Sequence, residues 1–152
     1  MSTNYDETIG YFSTYSNRKM IRYLSLQLEE YDITLEQWTI LAKLPEQQAV
    51  NQKQLSVLVD KDPTTLVRIL DILERKQLVR RRVSQEDRRA FLILITDKGK
   101  VLKKQLTPVI EAAFLRILDD ISTEKLQIFH EVLSKMNQNI ENAVTNISLN
   151  LQ

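Results

Sequence analysis

Two glycines and three prolines are all that 152 residues contain. A chain so poor in turn formers favours long helices joined by short turns over a sandwich or a barrel. Its length allows one domain with a real core, or one domain plus dimerisation helices. Apolar residues are 43% and charged residues 27%, the balance of a folded soluble protein. No apolar run reaches the ~20 residues of a membrane span. The opening MSTNYDETIGYF has no basic segment followed by an apolar one, so no signal peptide is expected. Cysteine is absent, which excludes disulfides, a thiol sensor and a thiolate metal site. A cytoplasmic location is the default expectation. No repeat and no low-complexity tract interrupts the chain.

Apolar spacing divides the chain into helices. A first helix is predicted over residues 5–31, where Ile9, Phe12, Met20, Ile21, Tyr23, Leu24, Leu28 and Tyr31 fill more than one stripe. Such a helix is buried by more than one neighbour. Thr34 caps a second helix, with Gln37 at the capping-box position. That helix carries Trp38, Ile40 and Leu41 and stops before Pro45, because the residue preceding a proline is pushed out of the helical region. Asn51 caps a third, with Gln54 as its expected reciprocal partner and Leu55, Leu58 and Val59 as its apolar face. Asp60-Lys61 break the pattern. Asp62-Pro63 then open a fourth helix with an acceptor at the N-cap and proline at the first turn. Leu66, Ile69, Leu70 and Leu73 give it a core stripe. A short helix, a tight turn and a second helix with a separate exposed face make a helix-turn-helix.

Residues 78–83 and 90–95 read as two strands of a hairpin whose tip runs from Ser84 to Arg89. Thr96 caps a helix through about Asp120, with Leu102, Leu106, Val109, Ala113 and Ile117 as its apolar positions. Ser122 caps the last helix. There Leu126, Phe129, Leu133, Met136, Ile140, Ala143 and Ile147 alternate steps of three and four, a seam for a partner helix. Packing within the chain is the alternative reading of that seam.

The net charge of +1 hides an asymmetry. Lys61 to Lys104 holds 13 lysines and arginines against 6 acids, while the remainder holds 8 against 14. A basic middle third is the footprint of a polyanionic partner, or a solvated face whose charges cluster. The exposed face of the fourth helix carries Thr64, Thr65, Val67, Arg68, Asp71 and Arg75. Arg68 is able to donate two bonds to guanine O6 and N7. Thr64 and Val67 suit a thymine methyl, whereas Thr65 is equally suited to capping its own helix. Gln54 and Lys61, near helix starts, suit phosphates, which set register. Arg80, Arg81 and Arg82 would meet phosphates or face solvent, and strand alternation forbids all three from pointing one way.

The order of helix-turn-helix, charged hairpin and flanking long helices resembles the MarR (multiple antibiotic resistance regulator) family of bacterial transcription factors. The most specific match is Asp87-Arg88-Arg89-Ala90-Phe91-Leu92-Ile93-Leu94-Ile95-Thr96. It keeps the family's Asp-x-Arg, five further residues, then Leu-Thr, with Ile95 in place of the usual leucine. Asp62 to Arg68 resembles the family's recognition helix. Leu73 to Val79 also matches, with Gln77 where glycine is common. The likeness covers about residues 34–106 closely and the terminal helices in architecture.

The resemblance implies a mainly α fold with a small antiparallel β-hairpin: a winged helix-turn-helix flanked by long N- and C-terminal dimerisation helices. Residues 1–33, 34–98 and 99–152 would be the N-terminal dimerisation helix, the DNA-binding domain and the C-terminal dimerisation helices. It implies a homodimeric regulator, most often a repressor, bound to a near-palindromic duplex operator. A dimer would set two recognition helices about 34–36 Å apart in successive major grooves. It gives Arg89 a place in the minor groove, whose negative potential attracts a guanidinium. Asp87 would hold that loop or side chain, and Arg88 would meet a phosphate or solvent. The family further implies a small phenolic or lipophilic anionic effector, for which Tyr11, Tyr15, Arg18, Tyr31 and Trp38 are the candidate residues. Ordinary core and dimer packing is the competing reading for each.

Catalytic signatures are missing. There is one histidine, His130, no Ser-His-Asp set, no HExxH and no phosphate-cradling glycine loop. No metal-ligand spacing is present, and no cofactor is expected. The alternative from another class is a winged helix used for protein interaction, with Val67 and Ile72 as its docking patch.

Overall fold

In the computed structural model the backbone is described for residues 5–149 apart from 86, 88 and 89, and the side chains for 8–147 apart from the same three. The expected wing residues Arg88 and Arg89 therefore lie outside the described residues. The elements are α1 (Tyr5–Leu28), a 3-10 turn (Glu29–Tyr31), α2 (Leu35–Lys43), β1 (Val50–Asn51), α3 (Gln52–Leu58), α4 (Pro63–Arg75), β2 (Val79–Val83), β3 (Phe91–Ile95), α5 (Asp97–Ile117) and α6 (Thr123–Leu149). The chain forms two compact units that part between Ile117 and Leu118.

The caps expected from sequence set most boundaries. Thr34 accepts from Gln37 N at 3.2 Å while the Gln37 side chain accepts from Thr34 N, a complete capping box. Asn51 caps α3, but by accepting from Lys53 N at 2.8 Å rather than through a box with Gln54. Asp62 accepts from Thr65 N, with Pro63 at the first turn of α4. Ser122 accepts from Lys125 N at the start of α6. The first helix ends at Leu28, not residue 31, because the chain tightens into a 3-10 turn and reverses at Asp32 in the left-handed region. The fifth helix ends at Ile117 rather than near Asp120, itself left-handed at φ 58°.

The hairpin is part of a larger sheet than expected. Val50 and Asn51 pair antiparallel with Ile93 and Leu92, giving three strands in the order β1-β3-β2. A two-residue strand has no alternation to read, so pattern analysis misses it. β2 and β3 run one residue shorter at their starts than predicted, pairing Val79 with Ile95 through Val83 with Phe91. Alternation sends Val79, Ile93 and Ile95 into the core.

That core joins the ends of α1 and α2, the inner faces of α3 and α4, the sheet and the middle of α5. Leu28, Leu41, Leu44, Leu55, Leu66, Leu70, Leu73, Ile93 and Leu106 are fully buried. On α5 Ile110 is buried with Leu106 and Ala113, whereas the expected Val109 is only half-buried. Among the described residues of α1 only Leu24 and Leu28 are buried, and Ile9, Tyr11, Phe12, Tyr15 and Ile21 are exposed. Within this unit α2 and α5 both pack against α1, toward its C-terminal end, and the exposed residues lie toward its start. In its own unit, α6 keeps Phe129, Leu133, Ile140 and Ile147 of the heptad seam exposed.

Two backbone positions carry testable costs. A Cβ at Gly99 would lie 2.2 Å from Leu78 O and 2.8 Å from Ile95 Cγ1. Gly99→Ala is expected to destabilise by about 2 kcal/mol or more, because backbone on one side and core on the other must shift. Gln77 sits at φ 62°, a conformation that costs a side-chain-bearing residue about 1 kcal/mol. Gln77→Gly is expected to raise the unfolding free energy by about that amount, read as a higher urea midpoint at unchanged m-value.

Candidate nucleic-acid interface

α3 and α4 meet through a turn whose geometry is local. Asp60 is left-handed at φ 49°, and Lys61 N donates to Ser56 O at 3.0 Å. Asp62 then restarts the helix. Its carboxyl is held below the ordinary carboxylate value first by the Thr65 hydroxyl and then by the Thr65 N–H. Thr65 is accordingly half-buried and committed to the cap. The rest of the α4 face divides cleanly. Leu66, Ile69, Leu70 and Leu73 are buried, while Thr64, Val67, Arg68, Asp71 and Arg75 are exposed.

The start of α3, the start of α4 and the base of the hairpin tip converge on one cleft of about 410 Å3. Asn51, Gln52, Lys53 and Ser56 line it from one side, Pro63 and Leu66 from another, and Asp87, Ala90 and Phe91 from the third. Gln54 is exposed on α3 outside that lining. Asp87 shapes the tip through its backbone: its N–H donates to Ser84 Oγ at 3.4 Å, and its carbonyl accepts from Ala90 N at 2.9 Å.

The cations differ in what engages them. Arg68 is exposed and makes no hydrogen bond or ion pair among the described residues. Arg75 reaches back to Asp71 O at 3.4 Å. Lys61 pairs with Glu36 at 2.7 Å on the surface, an exposed pair of small energy that does not preclude a phosphate. Arg80 and Arg82 are exposed on one face of β2. Arg81 points the other way and does neither thing expected of it. Its Nη1 lies 2.6 Å from Asp71 Oδ1 and 3.0 Å from Glu74 Oε2, and Nη2 donates to Val67 O at 3.1 Å. Glu74 also accepts from Arg81 N at 3.0 Å. Sequence reading missed this cluster, although Asp71 and Glu74 three residues apart on a helix facing a strand arginine were a visible signal.

The five candidate effector residues fall in separate places. Tyr11 and Tyr15 stack on each other at 5.8 Å, and Lys19 lies 4.5 Å over the Tyr15 ring. Arg18 is exposed on the same helix. Trp38 lines a hollow of about 280 Å3 with Met20, Leu24, Ile110 and Phe114. Tyr31 lines a different hollow of about 300 Å3, with Lys76, Lys98 and Leu102, and its phenol is held above its ordinary value mainly by a hydrogen bond to Glu30. Among the described residues no group of three or more His, Cys, Asp or Glu could hold a metal ion. None of their helices is long and apolar enough to cross a membrane.

Comparison with known proteins places this geometry. Residues 33–91 match the model of the MarR family. A Listeria innocua protein of unknown function is 29% identical over 89% of this chain and 94% of its own, with a TM-score of 0.68. The S. aureus MepR–DNA complex is 25% identical over 87% of this chain and 97% of that one, with a TM-score of 0.82. A mutant MarR from E. coli complexed with operator DNA shares the fold, with a TM-score of 0.80 at 23% identity, over 89% and 99% of the two chains.

The Asp62 cap makes the start of α4 acid-sensitive. A carboxyl depressed in the folded state contributes stability that is present above its unfolded value, near 3.8, and lost as pH falls through the lower folded value. Asp62→Asn keeps a capping oxygen and removes the titration. The difference in Tm between wild type and Asp62→Asn is expected to be constant above ~pH 5 and to shift against wild type in acid.

Proposed function

We propose that this chain, whose residues 33–91 match the MarR family, is a winged helix-turn-helix transcriptional regulator, a homodimeric repressor that reads duplex DNA with α4 and its wing. The observation that carries the reading is the exposed face of α4. Thr64, Val67 and Arg68 stand free of the core on a helix anchored by four buried side chains, and the Arg68 guanidinium is unengaged among the described residues. A free fork on a rigid helix is what bidentate reading of guanine requires. Gln54, Lys61 and Arg75 flank that face and are assigned to phosphates or neighbouring base edges. Thr65 supports it through the Asp62 cap. Arg88 and Arg89 follow Asp87 in the sequence, and the minor groove is proposed for Arg89, with Arg88 on the adjoining backbone.

What the chain leaves uncovered supports dimerisation. Ile9, Phe12 and Ile21 on α1, and Phe129, Leu133, Ile140 and Ile147 on α6, expose apolar surface that a second copy would bury. Two copies would present two recognition helices to a near-palindromic operator. An effector, in this reading a small lipophilic anion, would act by binding DNA-competent and incompetent dimers unequally. The hollow beside Trp38, between α1, α2 and α5, is the proposed place for its apolar body. With no cysteine, a thiol switch is not available to this chain.

Fluorescence anisotropy tests the reading on duplex from the gene's own upstream region against random duplex, at two salt concentrations. Wild type is expected to bind as a dimer, prefer its own region, and lose affinity steeply with salt, by a slope of about −0.9 per neutralised phosphate. Arg68→Ala is expected to lose about 5- to 150-fold on the preferred duplex and little on random duplex. Arg89→Ala is expected to lose affinity on both. Equal, weak and salt-insensitive binding to both duplexes overturns the reading in favour of a protein-interaction module using Val67.

A further inference from the structure

We infer that Arg81 is a positioning residue for base reading: it clamps the recognition helix to the wing and does not itself bind DNA. The inference rests on the proposed duplex-reading role of α4. Its own evidence is the geometry around one guanidinium. Arg81 lies in β2, the strand that leads into the wing, and its side chain is only 18% exposed. It meets α4 at Val67 O, Asp71 and Glu74. These positions are spaced i, i+4 and i+7, so one side chain spans two turns along a single face of the helix. Its own backbone N–H adds a bond to Glu74 Oε1. The helix is thereby held in both rotation and translation relative to β2.

Position decides why this matters for recognition. Val67 and Arg68 are consecutive, so the clamp grips α4 within one residue of the proposed guanine reader. A bidentate bond tolerates little error in distance or angle, and a shift of even ~1 Å would break it. The clamp also occupies Asp71. Left alone, that carboxylate would stand on the exposed face of α4 and repel phosphate. With the guanidinium 2.6 Å away its charge is compensated. Of the three consecutive strand arginines, Arg80 and Arg82 are exposed and remain available to a polyanion. The arginine run therefore divides by strand alternation into outward charge and one inward fastening.

The test separates positioning from phosphate contact. It measures the ratio of affinities for the preferred and random duplexes, and the salt slope, for wild type, Arg81→Met, Arg82→Met and the Asp71→Asn/Glu74→Gln pair. A positioning role predicts that Arg81→Met lowers the ratio by about tenfold or more and leaves the slope within error of wild type. Arg82→Met supplies the opposite pattern, with the ratio kept and the slope reduced by up to ~0.9. Asp71→Asn/Glu74→Gln, which frees Arg81, is expected to lower the ratio as Arg81→Met does. If Arg81→Met fails to fold by circular dichroism, Arg81→Lys replaces it. A lysine keeps the charge but cannot span three acceptors, so the ratio must still fall. The inference is overturned if Arg81→Met weakens both duplexes equally and reduces the slope, or if freeing Arg81 leaves the ratio unchanged. Loss of all preference by wild type itself would instead sink the duplex-reading role, and the clamp's function with it.

Discussion

The Leu78 carbonyl is where four elements are tied. Thr96 N donates to it at 3.1 Å, and the Thr96 hydroxyl lies 3.1 Å from it and 2.6 Å from Gln77 O. The same hydroxyl accepts from Gly99 N at 3.0 Å. One threonine thus links the loop after α4, the start of β2, the end of β3 and the first turn of α5. The closeness of Gly99 to this carbonyl leaves no room for a side chain. Gln77 takes a left-handed conformation to deliver the carbonyls. The orientation of the hairpin against the helices depends on this knot, because the sheet is otherwise only three short strands.

From the knot, constraint passes along α4. Its N-terminus is closed by the Asp62 cap, its middle is clamped by Arg81, and its C-terminal Lys76 pairs with Asp32 and donates to the Asp32 carbonyl. Lys98 of α5 in turn donates to Lys76 O at 2.8 Å. A helix held at three heights, with four buried side chains beneath, presents its outer face with little freedom. Each tie is modest alone, since exposed ion pairs contribute little. Their value is geometric: together they fix the position of the helix more than they add to its stability. The same ties connect α4 to the α1–α2 turn and to α5.

The expected fold class holds because its signals are local. Thr34, Asp62 and Ser122 cap helices where side-chain oxygen meets backbone N–H within three residues, and such chemistry is written in adjacent letters. The core stripe of α4 is buried in full, as its spacing requires. What was not legible was non-local or too short. β1 is a two-residue strand made by its partner. The choice of Ile110 over Val109 turns on a few tens of degrees of helix rotation. The end of α1 is decided by the reversal at Asp32.

By itself the sequence determined the order of helices and strands, the concentration of positive charge between Lys61 and Lys104, and the exposed face on which Arg68 stands. Periodicity, capping and composition act over a few residues and need no partner. Only the tertiary structure decided which arginine is free. Arg80, Arg81 and Arg82 are identical in chemistry, yet Arg81 alone faces the carboxylates of α4. The handedness of strand pairing and the helix behind it assign that side chain. A linear pattern records that the three alternate, not which way the sheet turns them.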